Sequence, residues 1–257
     1  MNAADGIWAL IPAGGQGRRM QSAVPKQYLP LLGRPVILHT IERLCAHPRI
    51  QGIVIGVAPD DPHWPSLVGE LKHLSKFLGT APGGETRAQT VLNSLKELTK
   101  HARPDDWVLV HDAVRPCVRQ GDIDKLISVV TRGHSKKSPL PLKGGEGEGE
   151  GVDGGLLAFP VSDTVKRVDN TGRVTETVSR EGLWRAATPQ MFRIKALTHA
   201  LEQAMKTGKE ITDEASAMEA AGGHPHVVAC HTDNIKITLL EDLALAELYM
   251  QQQRGKA

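Results

Sequence analysis

The sequence predicts an α/β fold built on a largely parallel sheet, and two observations point to it. Short apolar runs of strand length alternate with longer stretches whose apolar residues recur at helical spacing. The 257 residues are 40% hydrophobic and 23% charged, enough apolar material for one sizeable core and no composition of global disorder. A single domain over residues 1–257 is the expectation.

The elements follow in order. IWALIP, from Ile7 to Pro12, is a strand that runs into glycines. PVILHTIERLCAH opens on Pro35 and places Val36, Ile37, Ile41 and Leu44 on one side of a helix. GIVIGV, from Gly52 to Val57, is the next strand, and TRAQTVLNSLKEL repeats the helical spacing with Val91, Leu92, Leu95 and Leu98. Strands are expected at Asp106 to His111, Gly155 to Val161 and His226 to Cys230. Further helices are expected at Ile123 to Thr131, Ile194 to Met205, Thr212 to Ala221 and Glu241 to Met250.

Two regions break the alternation. Residues 133–155 are a low-complexity run of Gly, Glu, Pro and Lys that cannot bury enough surface to offset its ordering entropy, so a mobile surface insertion is expected. From Ser162 to Phe192, Val alternates with polar residues around Asn170, Thr171 and Gly172, the pattern of a β-hairpin. An isolated hairpin is marginal in water, so this one is expected to pack against something, such as a second subunit.

The bulk numbers exclude several function classes. A formal charge of +2 and 4% aromatics leave little with which to grip or stack polymeric nucleic acid. Cys45, Cys117 and Cys230 are three in number with no CxxC pair, which points to a reducing compartment. No apolar run approaches a membrane span, and an acid stands at the start where a secretory signal would carry bases. A cytoplasmic protein without membrane or nucleic-acid partners is expected.

In parallel sheets ligands sit beyond the carboxyl ends of the strands, so the residues just after each strand carry the argument. After the first stands PAGGQGRRM, with PKQY close behind. Glycines there bring backbone N–H groups close to phosphate oxygens. Met20 stands where a GxGxxG motif needs its last glycine, and no Gly-Lys-Ser/Thr ending exists for a Walker loop. What remains is a glycine turn followed by Arg18, Arg19 and Lys26, a set suited to a triphosphate and also to a plain tight turn with solvated bases.

VHDAVRP places Asp112 directly after a strand, either as a Mg²⁺ ligand or as a turn cap, with Arg115 toward an anionic substrate. GGETRAQTV offers Thr90 and backbone groups to a base edge, or simply opens a helix. In CHTDNIKITLLEDL, Asp233 and Lys236 are a second acid and a base for phosphate, or a polar loop and a surface lysine. The histidines lack metal-ligand spacing, and only His111 beside Asp112 stands out.

Taken together, PAGGQGRRM, PKQY, GGETRAQTV, VHDAVRP, SDTVKR, ATPQMF, ITDEASA and DNIKIT resemble, in order and approximate spacing, the 2-C-methyl-D-erythritol 4-phosphate cytidylyltransferase family. The resemblance covers nearly the whole chain outside the insertion. It implies a Rossmann-like three-layer nucleotidyltransferase fold and a homodimer formed through a projecting β-arm, here residues 162–187. It also implies transfer of CMP from CTP to methylerythritol 4-phosphate in the non-mevalonate isoprenoid pathway, with release of pyrophosphate and a divalent cation such as Mg²⁺.

By that resemblance Arg19 and Lys26 stabilise the transition state, and Ala13, Gly14, Gly15 and Gln16 form the triphosphate cradle. Gly84, Glu85 and Thr90 match the cytosine pocket, and Asp112 the acid near the metal. Arg115, Thr164, Arg180, Thr188 and Lys236 match contacts to the polyol phosphate, Thr164 and Arg180 serving the neighbouring subunit. The cradle reads Ala-Gly-Gly where Ala-Ala-Gly is common, a change that backbone binding tolerates. The nearest alternative is a cytidylyltransferase for another polyol phosphate such as ribitol 5-phosphate, and SDTVKR favours methylerythritol.

Overall fold

The computed structural model describes residues 5–15, 24–132 and 153–255. The expectations for Gln16 and Arg19, and for the insertion up to residue 152, lie outside the described residues.

A seven-stranded sheet in the order β11-β7-β10-β6-β1-β4-β5 forms the centre. It comprises β1 (Ile7–Pro12), β4 (Ile53–Val57), β5 (Phe77–Pro82), β6 (Trp107–Val110), β7 (Gly155–Pro160), β10 (Trp184–Arg193) and β11 (His226–Ala229). Every neighbouring pair is parallel except those made by β10, which runs antiparallel to both β6 and β7. Two short strands, β2 (Pro30–Leu31) and β3 (Arg34–Pro35), make a separate ribbon ahead of α1 (Val36–Cys45).

The pleat sorts the strand residues into two cores. Ala9, Ile11, Ile53, Ile55, Trp107 and Leu109 face one layer, where α1, α2 (Trp64–Leu71) and α4 (Gln120–Arg132) contribute Ile37, Ile41, Leu67, Leu71, Ile123 and Leu126. Leu10, Val54, Val108 and Val110 alternate with them and face the other. There α3 (Arg87–Leu98), α5 (Ile194–Lys206) and α6 (Glu214–Ala220) supply Val91, Leu95, Leu197, Leu201 and Met218. The result is the expected three-layer α/β architecture. The closing helix α7 (Glu241–Arg254) sits on a third cluster with Leu31, Val36, Val114 and Ile237. Among the described residues no helix is long and apolar enough to cross a membrane.

The hairpin is present as β8 (Val165–Val168) and β9 (Val174–Val178), a two-stranded sheet of its own. Its register pairs Arg167 with Glu176 and Val165 with Val178, and Val168 and Val174 are more than half exposed. The hairpin sheet is shorter than the expected arm of residues 162–187: Trp184, Arg185 and Ala186 already pair with β7 in the main sheet. A short polar strand cannot show from its own pattern where it crosses from one sheet to another.

Two further elements differ from the sequence reading. WPSLVGEL forms α2, with Pro65 tolerated in its first turn, and FLGTAP forms the edge strand β5. Both carry Gly and Pro inside a short element, which erases the periodic signal.

Candidate active site

The chain leaves β1 for β4 and β5 on one side of the sheet, then returns to place β6 on the other. At such a reversal the loops after the strands diverge and open a crevice. Here the crevice is a cleft of about 930 Å³ beyond the carboxyl ends of β1, β4, β5 and β6.

One wall is mostly backbone. Ala13, Gly14 and Gly15 follow β1, Ala58 follows β4, and Gly84 and Glu85 follow β5. A Cβ added at Gly14 would lie 3.2 Å from the Cα of Gly83 and 3.3 Å from Thr90 Oγ1, so glycine lets these loops approach closely. Gly15 faces open space, with nothing within 4 Å of a Cβ built there. The wall is tied from behind: Thr90 Oγ1 accepts from Gly84 N–H at 3.0 Å and donates to Thr86 O at 3.0 Å. Thr86 caps α3 by accepting from Gln89 N–H at 3.0 Å.

Buried Gln27 donates its carboxamide to Ala13 O at 3.0 Å and Gly15 O at 3.4 Å. That fastens the glycine turn to the 3₁₀ turn Lys26–Tyr28 and sets Lys26 at the edge of the cleft. Tyr28 donates to Asp61 Oδ2 at 2.7 Å, and burial together with that bond pushes its phenol well above the ordinary range, leaving it neutral.

The opposite wall is dense in charge. Asp112 follows β6 and is 7% exposed. Lys236 Nζ lies 3.0 Å from its Oδ2, Arg115 Nε donates to the same oxygen at 3.3 Å, and Arg87 Nε to Oδ1 at 3.3 Å. Burial alone would raise the Asp112 pKa, but the charges of Arg87, Lys236 and Arg115 hold it well below the usual carboxylate range. The side chain is an ion-pair centre and not a turn cap.

Arg87 also makes a two-pronged contact with the buried Glu214 of α6, at 2.6 and 3.1 Å, and the paired carboxylates overcome desolvation to raise its pKa. Behind Asp112, Thr188 Oγ1 accepts from Asp112 N–H at 3.0 Å and meets His111 Nδ1 at 2.9 Å, while His111 Nε2 meets Arg115 O at 3.0 Å. A carbonyl only accepts, so Nε2 carries the proton and Nδ1 accepts from the threonine. That neutral form agrees with burial depressing the His111 pKa to about 4.

The cleft thus gathers Ala13, Gly14, Gly15, Lys26, Gly84, Glu85, Thr90, Asp112 and Lys236 from six segments of the chain. Arg115 and Thr188 are buried behind Asp112 and act on it. Asp233 does not line the cleft; its Oδ2 is taken by Arg119 at 2.6 Å and Gln253 at 2.9 Å. Thr164 and Arg180 stand beside the hairpin, away from the cleft lining, and Arg180 donates to Ser162 O. Sequence reasoning passed over Gln27, Arg87 and Glu214. Arg87 lies inside GGETRAQTV, but a lone arginine in a helix's first turn reads as a solvated base, and its partner Glu214 is 127 residues away.

Known proteins agree with this architecture. The model of the 2-C-methyl-D-erythritol 4-phosphate cytidylyltransferase family matches residues 7–143 and 146–252. A protein of that name from Hahella chejuensis is 45% identical over 246 residues, covering 96% of this chain and 93% of that protein. One from Pseudomonas paraeruginosa is 47% identical over 239 residues, covering 92% of this chain and 93% of its own length. The crystal structure of a 4-diphosphocytidyl-2C-methyl-D-erythritol synthase aligns with a TM-score of 0.77 at 32% identity, covering 97% of this chain and 100% of that one.

Proposed function

Because the chain belongs to the 2-C-methyl-D-erythritol 4-phosphate cytidylyltransferase family, we propose that it transfers CMP from CTP to the 4-phosphate of methylerythritol, releasing pyrophosphate, in isoprenoid precursor synthesis. The observation that carries this reading is the pairing of a backbone-lined wall with a cationic wall across one cleft, with Lys26 at its edge. The ribitol phosphate alternative gains no support from the relatives, whose names specify methylerythritol phosphate.

The substrate phosphate is already anionic at neutral pH, so it attacks the α-phosphorus in line without a general base. Positioning and charge neutralisation supply the rate. The N–H groups of Ala13, Gly14, Gly15 and Gln16 cradle the triphosphate, and the Gly84–Glu85 turn faces the base, with Thr90 fixing that turn. Lys26 and Arg19 are the catalytic cations, meeting charge as it builds on the phosphoryl oxygens. Lys236 receives the polyol phosphate, and Arg115 and Thr188 hold Asp112 and its loop in place. Thr164 and Arg180 complete the neighbouring subunit's site through a β-arm in a homodimer, and Asp233 supports the Lys236 segment from behind.

Among the described residues no three His, Cys, Asp or Glu side chains converge as a metal cage requires. Of the two carboxylates that line the cleft, Glu85 and Asp112, Asp112 already pairs with Arg87, Arg115 and Lys236, so a divalent cation would share it with those bases and be held largely by substrate phosphates, as Mg²⁺ prefers. Bound there, the cation would neutralise triphosphate charge. The three cysteines are free thiols, in keeping with a cytoplasmic setting.

The test is pyrophosphate release with Mg²⁺, each of the four nucleoside triphosphates, and either methylerythritol 4-phosphate or ribitol 5-phosphate. Turnover is expected only with CTP and methylerythritol 4-phosphate. Turnover confined to another pair overturns the assignment.

A further inference from the structure

Gln27 is 4% exposed and follows Lys26 in the 3₁₀ turn. Its carboxamide nitrogen donates to two backbone oxygens of the glycine turn, Ala13 O at 3.0 Å and, more weakly, Gly15 O at 3.4 Å. A carbonyl only accepts and the nitrogen is the only donor of a glutamine side chain, so the orientation of the amide is fixed. Among the described residues the only cis peptide is Thr188–Pro189, so the Ala13–Gly14 peptide is trans and its C=O and N–H point in opposite directions. Drawing Ala13 O toward Gln27 therefore turns Gly14 N–H away from that side chain. Gly14 lines the cleft, and its N–H has no acceptor among the described residues.

Nothing within the turn itself dictates that orientation. Gly14 and Gly15 lack the Cβ that restricts rotation of a peptide plane, and no atom lies within 4 Å of a Cβ built on Gly15. A glycine peptide left free turns its oxygen to the cleft as readily as its N–H. The difference matters to an anion, which an N–H binds and a carbonyl oxygen repels. Lys26 cannot make the choice, because an ammonium on a flexible stem attracts phosphate without fixing a backbone plane. The groups that make it are the two N–H bonds of one buried amide, 12 and 14 residues along the chain from the oxygens they hold.

We propose that Gln27 is a positioning residue for the triphosphate: by holding back the carbonyls of Ala13 and Gly15, it keeps the glycine turn in the state that offers Gly14 N–H to phosphate oxygens. The inference rests on the reading of this turn as a triphosphate cradle, and it does not depend on which polyol phosphate accepts the CMP.

Titration calorimetry of the full chain with inorganic tripolyphosphate and with cytidine, alongside two-substrate kinetics, tests it. Gln27→Met keeps the length of the side chain and removes its donors. It is expected to weaken tripolyphosphate and raise KM for CTP, each roughly tenfold, while cytidine binding and KM for methylerythritol 4-phosphate stay within about twofold of the parent. A residue that only fills space would lower the melting temperature without that split. The same loss is expected in a Lys26→Ala background, since the amide acts on the turn and not through the lysine. Should Gln27→Met fail to fold, Gln27→Glu keeps the shape, offers the two carbonyls at most one O–H, and is expected to weaken tripolyphosphate while sparing cytidine. Tripolyphosphate binding like the parent's, an equal loss for cytidine, or a loss that vanishes without Lys26 each overturns the proposal. A parent that binds no tripolyphosphate overturns it together with the cradle. A parent that binds tripolyphosphate through Gln27 but transfers no CMP supports it and overturns the assigned reaction alone.

Discussion

The two walls of the cleft are built by opposite means. The wall after β1 and β5 presents backbone from Ala13, Gly14, Gly15 and Gly84, and its side chains, Gln27 and Thr90, work from behind. The wall after β6 presents Asp112 amid Arg87, Arg115 and Lys236, a cluster in which each charge is set by the others. A backbone wall tolerates side-chain exchange so long as the loops still approach each other. A charged wall does not, because removing one member leaves its neighbours desolvated and unmatched.

That contrast fixes the expected order of effects. Asp112→Asn should be the most damaging change, since it leaves three cations around a neutral amide. A loss of about 3–5 kcal/mol in unfolding free energy is expected by analogy with other broken buried pairs, read from urea denaturation. Unchanged stability would mean that the cluster is more hydrated than its burial suggests. Lys26→Ala should fold normally and lose roughly 10²–10³ in kcat, as when other preorganised charge-stabilising donors are removed. Near-normal turnover would remove Lys26 from the chemistry.

A third effect reads the support of the charged wall through pH. His111 has its pKa lowered from 6.5 to about 4 by burial, so the unfolded chain binds the extra proton first as pH falls. Its contribution to stability is complete above pH 6.5 and declines down to pH 4, by about 3 kcal/mol if the whole shift is expressed. Denaturation midpoints across that window should fall for the parent and stay flatter for His111→Gln. An identical slope in both would show that other groups carry it. The smallest effect is expected on the backbone wall: Gly84→Ala would put a Cβ 2.2 Å from Gln89 Cγ, so the turn it shares with Glu85 must shift. KM for CTP should rise several-fold, roughly the cost of about 1 kcal/mol, with stability little changed.

The same contrast explains what the sequence made legible. The strand-by-strand alternation at Ala9, Leu10 and Ile11, or at Ile53, Val54 and Ile55, carried the layers of the fold directly. Glycines after β1 and an acid after β6 marked the cleft because ligand sites of such sheets lie at strand ends. Contacts between distant segments were not legible. Nothing near Arg87 announces Glu214, and nothing near Asp233 shows that its carboxylate is bound to Arg119 and Gln253, outside the cleft. The same limit applied to β10, where the hairpin's trailing residues rejoin the main sheet at Trp184.

The division of labour between the walls is tested most directly by two-substrate steady-state kinetics on Gly84→Ala and Lys236→Met. Gly84→Ala is expected to raise KM for CTP while leaving KM for methylerythritol 4-phosphate near that of the parent, and Lys236→Met to do the reverse. If both constants rise together in both variants, the walls do not act separately and the account is wrong.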